Sequence, residues 1–463
     1  MKLTNLISEL YARCPGFIQN IAITLYGVKL YWERYTGEYQ KYLKFYSSRK
    51  QKNLYTEKMI QNKKFIKILH YAHLNSPFYR EFYKDIDISK IHSVEEIKQL
   101  PILTKEMLKN NYDRISTIKT GKGIKFYTGG TTGNPICVVK RKKDVQKRMA
   151  YLDAYKLKFG FVNNKMPSAR FFGKNIIPHT PKNHVFWRSN YVSRQRLYTT
   201  YYLQEENLKY YIRDMNKFKP KAIDGFPSAI YIVAKYIMEN KIELSFQPVA
   251  VFTTSETLLP IYRETIEKAF HCTVSDQYAS NEGAPFIMQC QYGSYHEAID
   301  TGVFEHIPTA HGERLLVTGF DTFGTPLIRY DMGDMIISSN QKDCKCHSYH
   351  PIIDSIIGRD SNYLVSNTKG NISQSQLSVL ISELPLSVKE MQFIQVTKDF
   401  IKVMVVNSEY KERDKLRNIL IEKLVHYLGK EMKYEIEFTN SIKRSKSGKF
   451  QLIINQMEGK ESC

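Results

Sequence analysis

Over roughly the first 75 residues, apolar positions recur three and four apart. Ile7-Ser8-Glu9-Leu10-Tyr11 and Phe65-Ile66-Lys67-Ile68-Leu69 are examples, and the spacing predicts amphipathic helices. Pro77 and Pro101 then punctuate the chain. From Lys125 to Ile356 the rhythm changes. Short apolar runs such as Val249-Ala250-Val251-Phe252-Thr253 and Arg314-Leu315-Leu316-Val317-Thr318-Gly319 alternate with Gly/Pro/Thr turns and helical stretches. That alternation predicts an α/β region. Beyond Gly358 the order is a helix over 374–384, strands over 390–396 and 400–406, and a charged helix over 410–428. It predicts a small α+β domain, so the pattern divides the chain into 1–357 and 358–463. No internal repeat or low-complexity tract interrupts it.

Composition adds limits. The chain has 463 residues, 42% hydrophobic, with 33 Tyr and 24 Phe, which suits a sizeable core and excludes a disordered chain. The start, MKLTNLISEL, lacks the continuous apolar run of a secretory signal. The best candidate for a membrane span, 17–32, is interrupted by Gln19, Asn20 and Lys29, so no spanning helix is predicted. Seven scattered Cys argue against a disulfide framework and for a reducing cytoplasm. The net charge of +22 admits an anionic membrane surface, a polyphosphate substrate or nucleic acid. Because the Lys residues are spread along the chain and no nucleic-acid motif accompanies them, no nucleic-acid partner is expected.

Five segments carry candidate chemistry. Thr128, Gly129, Gly130, Thr131, Thr132 and Gly133 follow a predicted strand. Glycine lets backbone N–H groups close on a phosphate, with Thr hydroxyls as further donors. No Gly-Lys-Ser/Thr follows, so the segment is not a Walker loop. Gln277-Tyr278-Ala279-Ser280-Asn281-Glu282-Gly283 offers a hard carboxylate suited to Mg²⁺. Pro326 to Asp334 places Arg329, Asp331 and Asp334 about a Gly turn, where an Asp can accept both ribose hydroxyls. Gly358-Arg359-Asp360 stands at the domain boundary, and Ile442-Lys443-Arg444-Ser445-Lys446-Ser447-Gly448-Lys449 reads by itself as a basic, solvated loop.

In this order and spacing the five segments resemble the adenylate-forming superfamily of acyl-CoA synthetases, adenylation domains and luciferases. The segments Asn75-Ser76-Pro77-Phe78-Tyr79-Arg80 and Leu100-Pro101-Ile102-Leu103-Thr104-Lys105, and the lack of a Lys after Pro135, resemble the phenylacetate–CoA ligase-like branch, particularly members associated with capsular polysaccharide synthesis. The resemblance implies a large N-terminal domain with a small mobile C-terminal domain. It implies ATP-dependent activation of a carboxylic acid as an acyl-adenylate. Residues 128–133 would hold the phosphates, Glu282 the Mg²⁺, Asn281 the adenine, and Asp334 and Arg359 the ribose. Lys449 would bridge the carboxylate and the α-phosphate. The acyl pocket would involve Tyr127, Phe226, Ser228, Ser255 and Ala279. The acceptor would be CoA, a carrier-protein thiol or an amine, with the acid, the acceptor and the oligomeric state left open. Two departures matter: Ala279 stands where the family often has Gly, and Ser361 stands at the hinge where it usually has Asp. The second leaves transfer to the acceptor less well supported than adenylation. A second reading, a non-catalytic scaffold on a membrane surface, is favoured by the charge and the altered hinge and opposed by Glu282, Asp334 and Lys449.

A metal site is also predicted. Cys290, His296, Cys344 and Cys346 supply three thiolates and an imidazole, a closed set that suits structural Zn²⁺. The spacing is not that of a zinc finger, and His347 and His350 compete as ligands. Relatives in this branch with a comparable zinc strengthen the expectation.

Overall fold

The computed structural model describes residues 9–119, 121–127, 136–173, 176–177, 181, 183–309, 312–359, 363–385, 387–407, 413–445 and 447–457. The chain forms two compact units. One comprises 1–168, 188–196 and 275–356; the other comprises 169–187, 197–274 and 357–463.

The first unit begins with the helices Gly16–Arg34, Tyr39–Ser48 and Leu54–Asn75, as the periodicity predicts. Asn53 caps the third, accepting from the Thr56 N–H at 2.8 Å. Pro77 opens the short helix Pro77–Phe82 at a position where its missing N–H costs nothing. Phe65, Ile68, Leu69 and Ala72 turn one face of Leu54–Asn75 into a core with Leu315, Val317 and Ile336. Those partners come from the antiparallel run Gly302–Thr309, Gly312–Gly319 and Tyr330–Ser338. The segment read as an Asp/Gly turn lies inside the last of these strands. The register jumps between Arg314 and Leu316, so residues 332–334 bulge out, with Gly333 at φ +69°. A tight hairpin, Ile287–Gln289 and Tyr295–Glu297, carries two of the four predicted metal ligands, Cys290 at its turn and His296 in its second strand.

In the second unit, Ala222–Gly225 and Ala250–Thr254 pair in parallel, and helices Pro227–Glu239 and Pro260–Phe270 each start with Pro. Gly225 is forced: a Cβ there would sit 2.3 Å from the Phe171 carbonyl oxygen. The C-terminal portion is a four-stranded sheet in the order Lys433–Thr439, Phe400–Asn407, Val388–Thr397, Ile453–Asn455, with helices Gln374–Ser382 and Arg413–Leu428. Leu416, Leu420, Leu424 and Leu428 give the last helix one buried face. This is the predicted small α+β arrangement, with one further strand on each edge.

Candidate functional site

Within the first unit, three segments far apart in sequence converge. Strand Val274–Tyr278 delivers the Tyr278 hydroxyl to Asp334, donating to Oδ2 at 2.6 Å. Burial, then Asp334 and Glu282, push the Tyr278 pKa well above the ordinary phenol range, so the hydroxyl keeps its proton and donates. The 332–334 bulge is what presents Asp334 here. Asn281 donates from its side-chain amide to the Tyr127 carbonyl at 3.2 Å, at the end of strand Ile124–Tyr127. Residues 128–133 lie outside the described residues. Tyr127 is exposed, and Ala279 and Glu282 are half-buried. The Ser280 hydroxyl accepts from the Gly283 and Ala284 N–H groups at 3.2 and 3.1 Å, and Arg148 donates to the Gly283 carbonyl at 3.1 Å. Together they hold the turn that carries Glu282.

Two other acid-motif residues do different work. Asp331 takes Arg314 on both of its oxygens. Arg329, expected beside the ribose Asp, is buried at φ +49°. It forms a 2.8 Å ion pair with Glu305 and donates to the Lys98 and Leu100 carbonyls. It braces strand Tyr330–Ser338.

Sequence reasoning missed Lys140. It ends the strand Cys137–Lys140, is buried, and has its ammonium 4.5 Å from the centre of the Phe126 ring. Desolvation, with Arg148 adding to it and Glu282 opposing, drives its pKa well below the ordinary lysine value. An anion placed beside it would restore that charge.

The second unit carries the C-terminal lysine loop. Lys449 is half-buried. The loop closes on itself through Ser445 N–H to the Lys449 carbonyl at 3.0 Å and Gly448 N–H to the Ser445 carbonyl at 2.8 Å. Of the described residues from 442 to 449, only Lys443 is exposed, so these are not the solvated positions that the sequence suggests. Glu256 accepts from the Phe450 N–H at 2.7 Å and the Ser228 N–H at 3.2 Å. The Arg444 side chain is 6% exposed, donates to the Ser228 hydroxyl at 3.0 Å and pairs with Glu390 at 3.2 Å. Burial raises the pKa values of Glu256 and Glu390, and Arg444 opposes both shifts. Gly448 (φ +75°) packs directly on Gly173, where a Cβ would sit 1.8 Å from the Ser447 carbonyl oxygen. Only glycine fits either position.

Of the predicted acyl-pocket residues in this unit, Phe226 is buried in the apolar core and Ser228 is tied to Arg444. Ser255 is exposed at φ +73°. Arg359 ends the strand Ile352–Arg359, and Ser361 lies outside the described residues. Beneath the loop, a cavity of about 320 Å³ is lined by Tyr231, Lys235, Leu384, Met391 and Phe450.

Cys290, His296, Cys344 and Cys346 come together in the first unit, with all ligand atoms within 4.8 Å of one another. A tetrahedral zinc with bonds of about 2.3 Å to sulfur and 2.0 Å to nitrogen has S···S edges of roughly 3.8 Å and S···N edges of roughly 3.5 Å. Cys290 Sγ lies 3.6 Å from Cys344 Sγ, and Cys346 Sγ lies 3.3 Å from His296 Nε2. His296 Nδ1 is 3.1 Å from the His350 carbonyl oxygen. That contact fixes the tautomer and leaves Nε2 for a metal. The contact with Cys346 lowers the Cys290 thiol and raises Cys346 itself, so of this pair Cys290 ionises first. His350, a competing ligand by sequence, turns its ring to Gln51 (2.8 Å) and Asp300 (3.4 Å).

The fold is that of the adenylate-forming ligases. The structure of 2-hydroxyisobutyryl-CoA ligase in the postadenylation state with R3-HIB-AMP matches with a TM-score of 0.69 at 16% identity, covering 86% of this chain and 89% of that one. An open conformation of the same ligase with 2-HIB-AMP and CoA gives 0.53 at 16% identity, over 85% and 90%. Residues 364–456 match the CapK C-terminal domain family. The whole chain is 36% identical to Protein CapK of Staphylococcus aureus across 456 residues, 98% of this chain and 100% of that protein. The chain belongs to the CapK family.

Proposed function

We propose that this protein uses ATP to convert a carboxylic acid to an acyl-adenylate with release of pyrophosphate. It then passes the acyl group to a thiol or amine in the making of a surface polysaccharide. The observation that carries this reading is the junction of Tyr278 and Asp334 at 2.6 Å. It joins the Glu282 motif to the ribose Asp motif, beside the Asn281–Tyr127 contact that leads into residues 128–133.

Adenylation moves negative charge onto phosphate oxygens, so catalysis is mostly positioning and electrostatics. Glu282 is assigned to Mg²⁺, residues 128–133 and Lys140 to the polyphosphate, Asn281 to the adenine, and Asp334 and Arg359 to the ribose. Lys449 serves as a fixed positive charge for the reacting carboxylate and α-phosphate. CoA is the favoured acceptor, since the ligase sharing this fold is seen with CoA and an acyl-AMP. The motifs 75–80 and 100–105 support placement in the phenylacetate–CoA ligase-like branch. The four-residue Cys/His cluster would hold Zn²⁺ with no open position, so its part is structural: it ties the hairpin after Glu282 to the segment before the hinge. Exchange of labelled pyrophosphate into ATP, screened over aryl, fatty, amino and sugar acids, tests the reading. Acid-dependent exchange is expected with at least one class, and none with any class would refute it.

A further inference from the structure

The helix Gly16–Arg34 is built inside out. Its two fully buried positions, Gln19 and Gly27, are polar and small, and Ile23, Leu30 and Tyr31 beside them are half-buried. Arg188 Nε donates to Gln19 Oε1 at 2.6 Å, the Ser189 N–H donates to Asn20 Oδ1 at 2.9 Å, and the Thr24 hydroxyl donates to the Ser189 carbonyl at 3.4 Å. Gly27 lies against Asn190, where a Cβ would sit 2.4 Å from Oδ1. Its outward face is apolar. Phe17, Ile21, Leu25, Val28 and Trp32 are 66%, 53%, 65%, 47% and 67% exposed, with Ile18 and Tyr26 beside them. Their intervals of four, four, three and four residues make one continuous stripe. Ordinary surface helices do the reverse. At about 100 Å² per half-exposed large side chain the stripe offers roughly 500 Å², the upper range for a patch on a monomer.

The rim of the stripe is basic. Arg13 and Lys29 are exposed on the same stretch, and Lys41 and Lys44 are exposed on the next helix. The Lys142 ammonium stands 3.6 Å from the centre of the Trp32 ring. Between residues 10 and 52 the only acids are Glu33 and Glu38, and both face lysines: Lys29 at 3.9 Å, and Lys41 and Lys143 at 3.9 and 3.6 Å.

We propose that this helix docks the protein flat on an anionic lipid surface. The stripe enters the acyl boundary, Trp32 sits at its polar edge, and the lysines lie on the headgroups. The charge decides between lipid and a second copy of the chain. Two like-charged rims repel, whereas anionic headgroups attract both the rim and a chain of net charge +22. Among the described residues no helix is long and apolar enough to cross a membrane, so the geometry is of lying on the surface. Two of the polar residues that break the 17–32 segment as a span, Gln19 and Asn20, anchor its inner face, and the third, Lys29, lies on the basic rim.

The test is co-sedimentation of the full chain with phosphatidylcholine vesicles, with and without phosphatidylglycerol, at low and high salt. Wild-type protein is expected to pellet with the anionic vesicles. Ile21→Ser/Leu25→Ser/Trp32→Ser should bind at least about tenfold more weakly with an unchanged melting curve. Lys29→Glu/Lys41→Glu should lose the preference for anionic lipid, and it carries the test if the triple variant misfolds. Wild-type protein left in the supernatant with both vesicles overturns the proposal, as does triple-variant binding equal to wild type. A wild-type dimer that the triple substitution makes monomeric would assign the stripe to self-association instead.

Discussion

Replacing Glu256 by alanine should slow adenylation selectively. One carboxylate there accepts the N–H groups of Phe450 and Ser228 at 2.7 and 3.2 Å, and Lys449 is the residue before Phe450. The substitution leaves both N–H groups without their acceptor, at about 1–3 kcal/mol each. The lower bound for the pair, about 2 kcal/mol, cuts the population with the loop seated roughly thirtyfold. Arg444 keeps Glu390 and Ser228, so the loop loses its position before it loses its fold. Glu256→Gln retains one acceptor oxygen and should fall between wild type and alanine. The assay is rapid-quench formation of acyl-adenylate from labelled ATP, set against transfer from preformed acyl-adenylate to the acceptor. Adenylation is expected to drop about thirtyfold, with transfer changed far less. Equal slowing of both steps, or adenylation at the wild-type rate, would refute the reasoning.

Asp334→Ala should raise the KM for ATP roughly tenfold, the value of one lost charge-assisted contact, and lower kcat less, because a ribose contact is shared by ground and transition states. Steady-state kinetics in ATP check this, and an unchanged KM removes the ribose role. Protein purified without chelator should hold one zinc per chain by elemental analysis. Cys344→Ser/Cys346→Ser should lose it and melt several degrees lower; a stable, metal-free wild type contradicts the site. Lys235 is buried, and desolvation lowers its pKa to about 8. The unfolded chain therefore holds that proton more tightly, and stability rises with pH between about 8 and the ordinary lysine value near 10.4, by about 3 kcal/mol. Denaturant melts of wild type and Lys235→Met across that window should show the wild type gaining on the variant; parallel curves would show that burial does not disfavour the charge.

Local pattern reached the secondary structure well. The runs at 249–253 and 314–319 fall on the strands Ala250–Thr254 and Gly312–Gly319, and the tail folds in the predicted helix–strand–strand–helix order, because each signal sits in one window of sequence. What stayed hidden depends on partners far along the chain. Arg444 reads as solvated among Lys443, Ser445 and Lys446, yet Glu390, some fifty residues earlier, buries it. Arg329 sits in a motif that suggests a ligand contact, and Glu305 with two distant carbonyls makes it a brace. The 332–334 bulge shows only as a glycine between carboxylates, since the register jump belongs to the facing strand. The helix Gly16–Arg34 is periodic in sequence, but periodicity does not say which face is turned inward; residues 188–190 decide that. Lys140 lacks any motif, and its burial is its only sign.

The central claim is that this chain activates a carboxylate at the α-phosphate of ATP with Lys449 as the decisive charge. The direct measurement is acid-dependent exchange of labelled pyrophosphate into ATP by wild-type protein and by Lys449→Ala. Exchange by the wild type with at least one acid, reduced a hundredfold or more in a folded Lys449→Ala protein, is the expected result. Equal exchange by the two proteins, or none by the wild type with any acid, would contradict it.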